Sequence, residues 1–184
     1  MALSAARLQS VRRHLRRGGV IAYPTESCFG FGCDPQNERA LQKILRLKRR
    51  PKSKGLIVIG HALDAFVSLL QPLSEHDRDR VLSKWPGPHT WLIPAMDRAK
   101  RALRGKHTAL AVRVPGHHDA RELCLRLGSA IVSTSANRAG QRPVKTSRDC
   151  LRLFGNRVNV IPGRIGQRKQ PSTIQDLVTG RIFR

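Results

Sequence analysis

Acidic residues are scarce in this chain: 12 Asp and Glu stand against 35 Lys and Arg in 184 residues, a formal net charge of +23. Such an imbalance points to a polyanionic partner, either nucleic acid or a phosphate-rich ligand. A basic bias that merely aids solubility is the alternative. Aromatics are also few, with five Phe, two Trp and one Tyr, so a core must be built mainly from Leu, Ile, Val and Ala. The four cysteines, Cys28, Cys33, Cys124 and Cys150, form no Cys-x-x-Cys pair, and no His cluster has structural-zinc spacing. They read as small apolar residues. No apolar run approaches the roughly 20 residues of a membrane span. The N-terminal segment carries Arg12, Arg13, Arg16 and Arg17 without an apolar signal core, so a cytoplasmic protein with no membrane association is expected. Hydrophobic residues make up 40%, which suits one globular domain over residues 1–184.

Helical and strand patterns alternate along the chain. Leu8, Val11 and Leu15 recur at helical spacing before Gly18-Gly19. Val20 to Tyr23 reads as a short strand, and Cys28 to Asp34 as a glycine-bearing loop. Asp34 or Asn37 can cap a helix with Ala40, Leu41, Ile44, Leu45 and Leu47 inside. Leu56 to Ile59 reads as a buried strand, 63–70 and 74–82 as helices, and Trp91 to Ile93 as a strand. Ala109 to Val114 is a strand, and a helix from His117-His118-Asp119 runs to Leu127. Ala130 to Val132 is the next strand, Ser147 caps a helix to Phe154, and 158–161 and 171–174 are further strands. Thr179-Gly180 turns the chain back through Ile182 and Phe183. The mixture argues for one α/β domain on a twisted sheet.

Several stretches carry candidate chemistry. Ile131 to Pro143 reads as a strand breaking into a loop of small polar residues, with Ser133, Ser135 and Asn137 two apart. In extended backbone they point the same way, so two hydroxyls and an amide can line one side of a pocket for phosphate or carboxylate oxygens. A serine-rich turn is the plain alternative. The run Lys48-Arg49-Arg50-Pro51-Lys52-Ser53-Lys54 ends a helix. Its cations either complement that helix end and face solvent or aim inward at a bound anion. Arg113 sits in an apolar strand. Burying its charge costs several kcal/mol unless paired, so an anion is expected to meet it. Arg98, Lys100, Arg101, Arg104 and Lys106 crowd a stretch that is either a nucleic-acid patch or a solvated loop.

Together these segments resemble the YrdC-like family, and within it the single-domain bacterial members. The marks are Tyr23-Pro24-Thr25-Glu26 with Phe29-Gly30-Phe31-Gly32-Cys33-Asp34, Lys48-x-Arg50-Pro51 with Lys54-Gly55-Leu56-Ile57, and Trp85-Pro86-Gly87-Pro88-x-Thr90. Ala111-Val112-Arg113-Val114-Pro115, Ser133-Thr134-Ser135-Ala136-Asn137 and Pro171-Ser172-Thr173-Ile174 complete the set, in order over nearly the whole chain. The resemblance implies an α/β fold with an open, twisted, mixed sheet flanked by helices and a positively charged concave face. It implies a reaction joining L-threonine, bicarbonate and ATP into threonylcarbamoyl-adenylate with release of pyrophosphate. The product feeds N6-threonylcarbamoyladenosine formation at tRNA position 37 through a downstream transfer complex. By motif position, Lys48, Arg50 and Lys54 face the ATP phosphates, and Ser135 and Asn137 also hold the nucleotide. Thr25, Ser27, Arg113, Ser133 and Ser172 bind threonine and bicarbonate. Glu26 meets the threonine ammonium or makes a structural hydrogen bond. Mg²⁺ is expected to arrive with ATP, with no metal ligand from a protein side chain and no catalytic group beyond substrate-positioning residues. Longer relatives use an extra domain as a lid, so closure here is expected from this domain or a partner. The alternative is a double-stranded RNA or tRNA-binding module without catalysis. Carbamoyl chemistry on another acceptor ranks below both.

Overall fold

In the computed structural model, residues 3–51 and 53–184 are described. Lys52 of the basic run lies outside them. The chain forms α1 (Ala5–Arg16), β1 (Ile21–Pro24), β2 (Phe29–Gly32), α2 (Glu38–Lys48) and β3 (Ile57–Ile59). It continues as α3 (Glu75–Leu82), β4 (His89–Pro94), the one-turn α4 (Arg101–Arg104), β5 (Ala109–Arg113) and α5 (His118–Leu127). It ends with β6 (Ile131–Ser135), α6 (Ser147–Phe154), β7 (Asn159–Val160) and β8 (Thr173–Asp176). The eight strands form one mixed sheet in the order β7-β1-β2-β6-β3-β5-β4-β8. The β7–β1, β3–β5 and β4–β8 pairs are parallel and the other pairs antiparallel.

Strand alternation sorts the core into two layers. Ala22, Phe31, Val58, Val112 and Val132 point to one side, where they meet Leu41, Ile44 and Leu45 of α2, Leu103 of α4 and Phe154 of α6. Phe31 and Phe154 pack edge to face, with centroids 4.8 Å apart. Ile21, Tyr23, Ile59 and Ile131 point to the other side, against Val11 and Leu15 of α1 and Ala120, Leu123 and Cys124 of α5. All four cysteines are free and buried.

Four stretches depart from the sequence expectations. The Phe29-Gly30-Phe31-Gly32 segment is strand β2 and not a loop. Its two glycines lie on the α1/α5 side, where a Cβ on Gly32 would come within 2.8 Å of the Tyr23 ring and one on Gly30 within 3.2 Å of Thr25 Cγ2. Glycine here permits close packing within a strand. The expected helix over 63–70 is only a 3₁₀ turn, Leu63–Phe66. The 98–106 stretch is anchored, because Ala99, Ala102 and Leu103 are buried. Thr146, and not Ser147, caps α6, accepting from Asp149 N at 3.1 Å.

Candidate active site

Helices α1 and α5 cover only part of their side of the sheet. Further along the same strands, Ser133 and Ser135 of β6, Ile57 of β3, Ala111 and Arg113 of β5, and Leu92 of β4 line an open cavity of about 750 Å³. Its wall is completed by the β1–β2 turn, by the segment after α2, by the stretch from Leu103 to Ala109, by Arg168 and Gln170 to Ser172, and by Phe183 and Arg184. The strand β6 runs through Ser135, so both serines are strand residues and not loop residues. Asn137 follows on the loop outside the cavity wall.

The expected residues converge with one division. Thr25, Ser27, Arg50, Lys54, Arg113, Ser133, Ser135 and Ser172 line the cavity, whereas Lys48 and Asn137 stand behind it. The C-cap of α2, Arg49, adopts the left-handed conformation at φ 51°, which turns the chain so that Arg50 and Lys54 reach the wall. The Arg50 guanidinium donates from Nη2 to Gly55 O at 2.8 Å and from Nε to Lys54 O at 3.4 Å. The Thr25 hydroxyl donates to Cys28 O at 2.8 Å. Ser172 Oγ accepts from Thr90 Oγ1 at 2.9 Å.

Arg113 meets an anion, and that anion belongs to the protein. Its Nη2 lies 3.2 Å from Glu26 Oε2, and the other Glu26 oxygen accepts from Gly116 N at 3.0 Å. The Glu26 carboxylate is thus engaged within the protein. Arg113 Nε is buried without a hydrogen-bond partner, an unsatisfied donor on a cavity residue.

Several cavity residues were missed at the sequence level: Arg104 and Lys106 of the 98–106 stretch, His107, Thr108, Arg168, and the terminal Phe183 and Arg184. The terminal segment pairs back on β8: Phe183 N donates to Ile174 O at 2.8 Å, and Ile174 N to Arg184 O at 2.9 Å. Arg184 Nε then donates to Ser172 O at 3.1 Å. The turn at Thr179-Gly180 was legible, but the tertiary position of the returning strand was not. Burial, and then the charge of Arg113, pushes the Arg184 pKa down. Burial, and then Arg184, does the same to Arg50. Arg113 thus disfavours the charge on Arg184, and Arg184 that on Arg50, an effect that a bound anion would offset. Of the lining residues, seven are Lys or Arg and two, Glu26 and Asp176, are acidic. Asp176 Oδ1 already accepts from Val178 N and Thr179 N. Among the described residues, no three His, Cys, Asp or Glu side chains cluster as metal ligands.

An open α/β sheet with a cavity walled by cations and hydroxyls has the form of a small-molecule site. A family model described as "Telomere recombination", for the Sua5/YciO/YrdC domain, matches residues 13–184, and the chain belongs to that family. It is 55% identical over 178 residues to a protein named threonylcarbamoyl-AMP synthase from Methylobacillus flagellatus, covering 97% of this chain and 99% of the relative. A protein of the same name from Chromobacterium violaceum is 52% identical, covering 99% of this chain and 95% of the relative. The crystal structure of P. abyssi Sua5 complexed with L-threonine superposes with a TM-score of 0.88 at 24% identity. That match covers 99% of this chain, which spans about half, 54%, of the Sua5 chain. At that identity the likeness speaks for the fold.

Proposed function

We propose that this chain is a threonylcarbamoyl-AMP synthase, converting L-threonine, bicarbonate and ATP into threonylcarbamoyl-adenylate and pyrophosphate. The observation that carries the proposal is the crowding of Arg50, Arg113 and Arg184 around one cavity beside the hydroxyls of Ser133 and Ser135. Near-full-length identity above 50% to proteins named for that activity supports it. In bond terms, the threonine nitrogen adds to the bicarbonate carbon and water leaves. A carbamate oxygen then attacks the α-phosphorus of ATP and pyrophosphate departs, which makes the second step a nucleotidyl transfer. All three substrates bring anionic groups together, so the protein's task is charge neutralisation and positioning.

Arg50 and Lys54 receive the triphosphate, with Arg184 beside them. Arg113 offers its unpartnered Nε to the threonine carboxylate or the carbamate. Glu26 orients Arg113. Ser133, Ser172, Thr25 and Ser27 surround the amino acid, and Ser135 borders the nucleotide. With both cavity carboxylates engaged, Mg²⁺ would be carried by ATP and not by a protein side chain, and it would supply charge neutralisation to the phosphates. Transfer of the product to adenosine at tRNA position 37 falls to a separate complex. The +23 charge supports tRNA as a surface partner.

Pyrophosphate release from ATP and Mg²⁺, with threonine and bicarbonate each omitted in turn, tests the reading. Release that requires both is expected. Release that needs neither means another nucleotide reaction. No release beside salt-sensitive RNA binding favours the binding module.

A further inference from the structure

Lys48 is a buried ammonium held away from the cavity wall. It closes the inner stripe of α2, following Leu41, Ile44 and Leu45, and is 4% exposed. Its Nζ lies 2.6 Å from Ser135 O, 2.8 Å from Asn137 Oδ1, 3.2 Å from Asn137 O and 3.3 Å from Ser135 Oγ. An ammonium has three donors, and these four oxygens occupy them. The same loop is tied at three further points. Ser135 Oγ donates to Asn137 Oδ1 at 2.7 Å, and Ala139 N donates to Lys48 O at 2.7 Å. Asn137 Nδ2 donates to Gln141 O at 2.6 Å. The chain leaving β6 is therefore wrapped around one lysine head and fastened to that lysine's own carbonyl.

Contact with phosphate would require Lys48 to abandon the carbonyls of Ser135 and Asn137, exchanging charge-assisted bonds already made for a new one. Arg50 and Lys54 both line the cavity, and Arg50 keeps guanidinium donors beyond those given to Gly55 O and Lys54 O. Ser135 joins the two regions, since it borders the cavity and is held from behind by Lys48.

We propose that Lys48 is a positioning residue, a clasp that fixes the loop after β6 and sets Ser135 at the cavity, and that phosphate contact is left to Arg50 and Lys54. This rests on the ATP-dependent reading above. A clasp acts on every nucleotide alike, whereas a phosphate ligand acts according to the number of phosphates.

Calorimetric titration of AMP and ATP, with Mg²⁺, into wild type, Lys48→Met, Lys48→Arg and Arg50→Ala separates the two. Lys48→Met is expected to weaken AMP and ATP by a common factor of about ten, the scale of a lost charge-assisted contact. Lys48→Arg should recover part of that loss, again equally for both ligands. Arg50→Ala should weaken ATP far more than AMP. Loss of ATP affinity with AMP unchanged in Lys48→Met makes Lys48 a phosphate ligand and overturns the clasp, and unchanged affinity for both overturns it too. If circular dichroism shows Lys48→Met unfolded, the AMP-to-ATP ratio of Lys48→Arg decides in the same way. A wild type that binds neither nucleotide sinks the functional reading and the clasp together. A wild type that binds, with the wrong ratio in the variants, sinks the clasp alone.

Discussion

One side of the sheet is used in two ways, and β6 crosses the boundary. Ile131 and Ser133 point to the same side, two residues apart. Ile131 lies fully buried under α5, while Ser133 lines the cavity. The same change occurs along β1, where Ile21 and Tyr23 pack beneath the helices and Thr25 opens onto the site. Alternation decides which side a residue faces, and helix coverage decides whether that side is dry core or binding wall. The covered half holds the sheet together through apolar burial. The open half gathers Arg50, Arg113 and Arg184 around one cavity, where a bound anion would offset the repulsion of Arg113 on Arg184 and of Arg184 on Arg50.

The largest expected effect lies in the open half. Arg50→Ala should lower pyrophosphate release by about 10²-fold or more, the scale of one lost electrostatic donor in a preorganised site. Its melting temperature should stay near that of wild type. Retained turnover would remove Arg50 from the anion site.

A paired experiment tests the boundary itself. Ile131→Ala should cost about 2–4 kcal/mol of stability by denaturant unfolding, through lost burial and the cavity left behind, with the KM for threonine unchanged in the folded fraction. Ser133→Ala should cost no more than about 1 kcal/mol of stability but raise that KM several-fold. Equal effects of both changes on KM would mean the two halves are not separable.

The smallest effect is a pH dependence at the boundary. Burial, and then the charge of Arg50, draws the Lys48 pKa from 10.5 down to about 8, with Cys28 opposing. Between those values the unfolded chain keeps a proton that the folded one has released, so this group makes stability rise with pH. The clasp needs the ammonium and weakens over the same window. Turnover is therefore expected to fall above about pH 8 while the melting temperature does not. Lys48→Arg, whose guanidinium stays charged, should flatten that limb. A limb that persists in Lys48→Arg belongs to another group.

Much of this arrangement was legible in the residues. The inner stripe of α2, the shared side of Ser133 and Ser135, and the α/β mixture were legible, and the motif order gave the family. That stripe held a further signal, because Lys48 follows Ile44 by one helical turn and so lies on the buried side. A lysine there needs internal oxygen partners, and Ser135 and Asn137 supply them. The Phe-Gly alternation of β2 has the period of a strand, but glycine's low strand propensity obscured it. The cause lies in the proximity of Tyr23 and Thr25, which local sequence does not encode. Arg113 was expected to meet an anion, and its internal partner Glu26 is distant in sequence. The placement of Arg184 depends on pairing with β8, again a tertiary matter.

The strand order has a consequence for when the site can exist. Its walls come from Thr25 near one end of the chain, Arg113 and Ser133 in the middle, and Ser172 and Arg184 near the other. Outer strand β7 pairs with β1, Ile21 with Asn159, across most of the sequence. No early fragment contains a usable half-site. Assembly must wait for distant pairings, which form slowly because long loops have to close first. The cavity thus forms only once Thr25, Arg113, Ser133, Ser172 and Arg184 are brought together, and a ligand seated in it would fasten segments far apart in sequence.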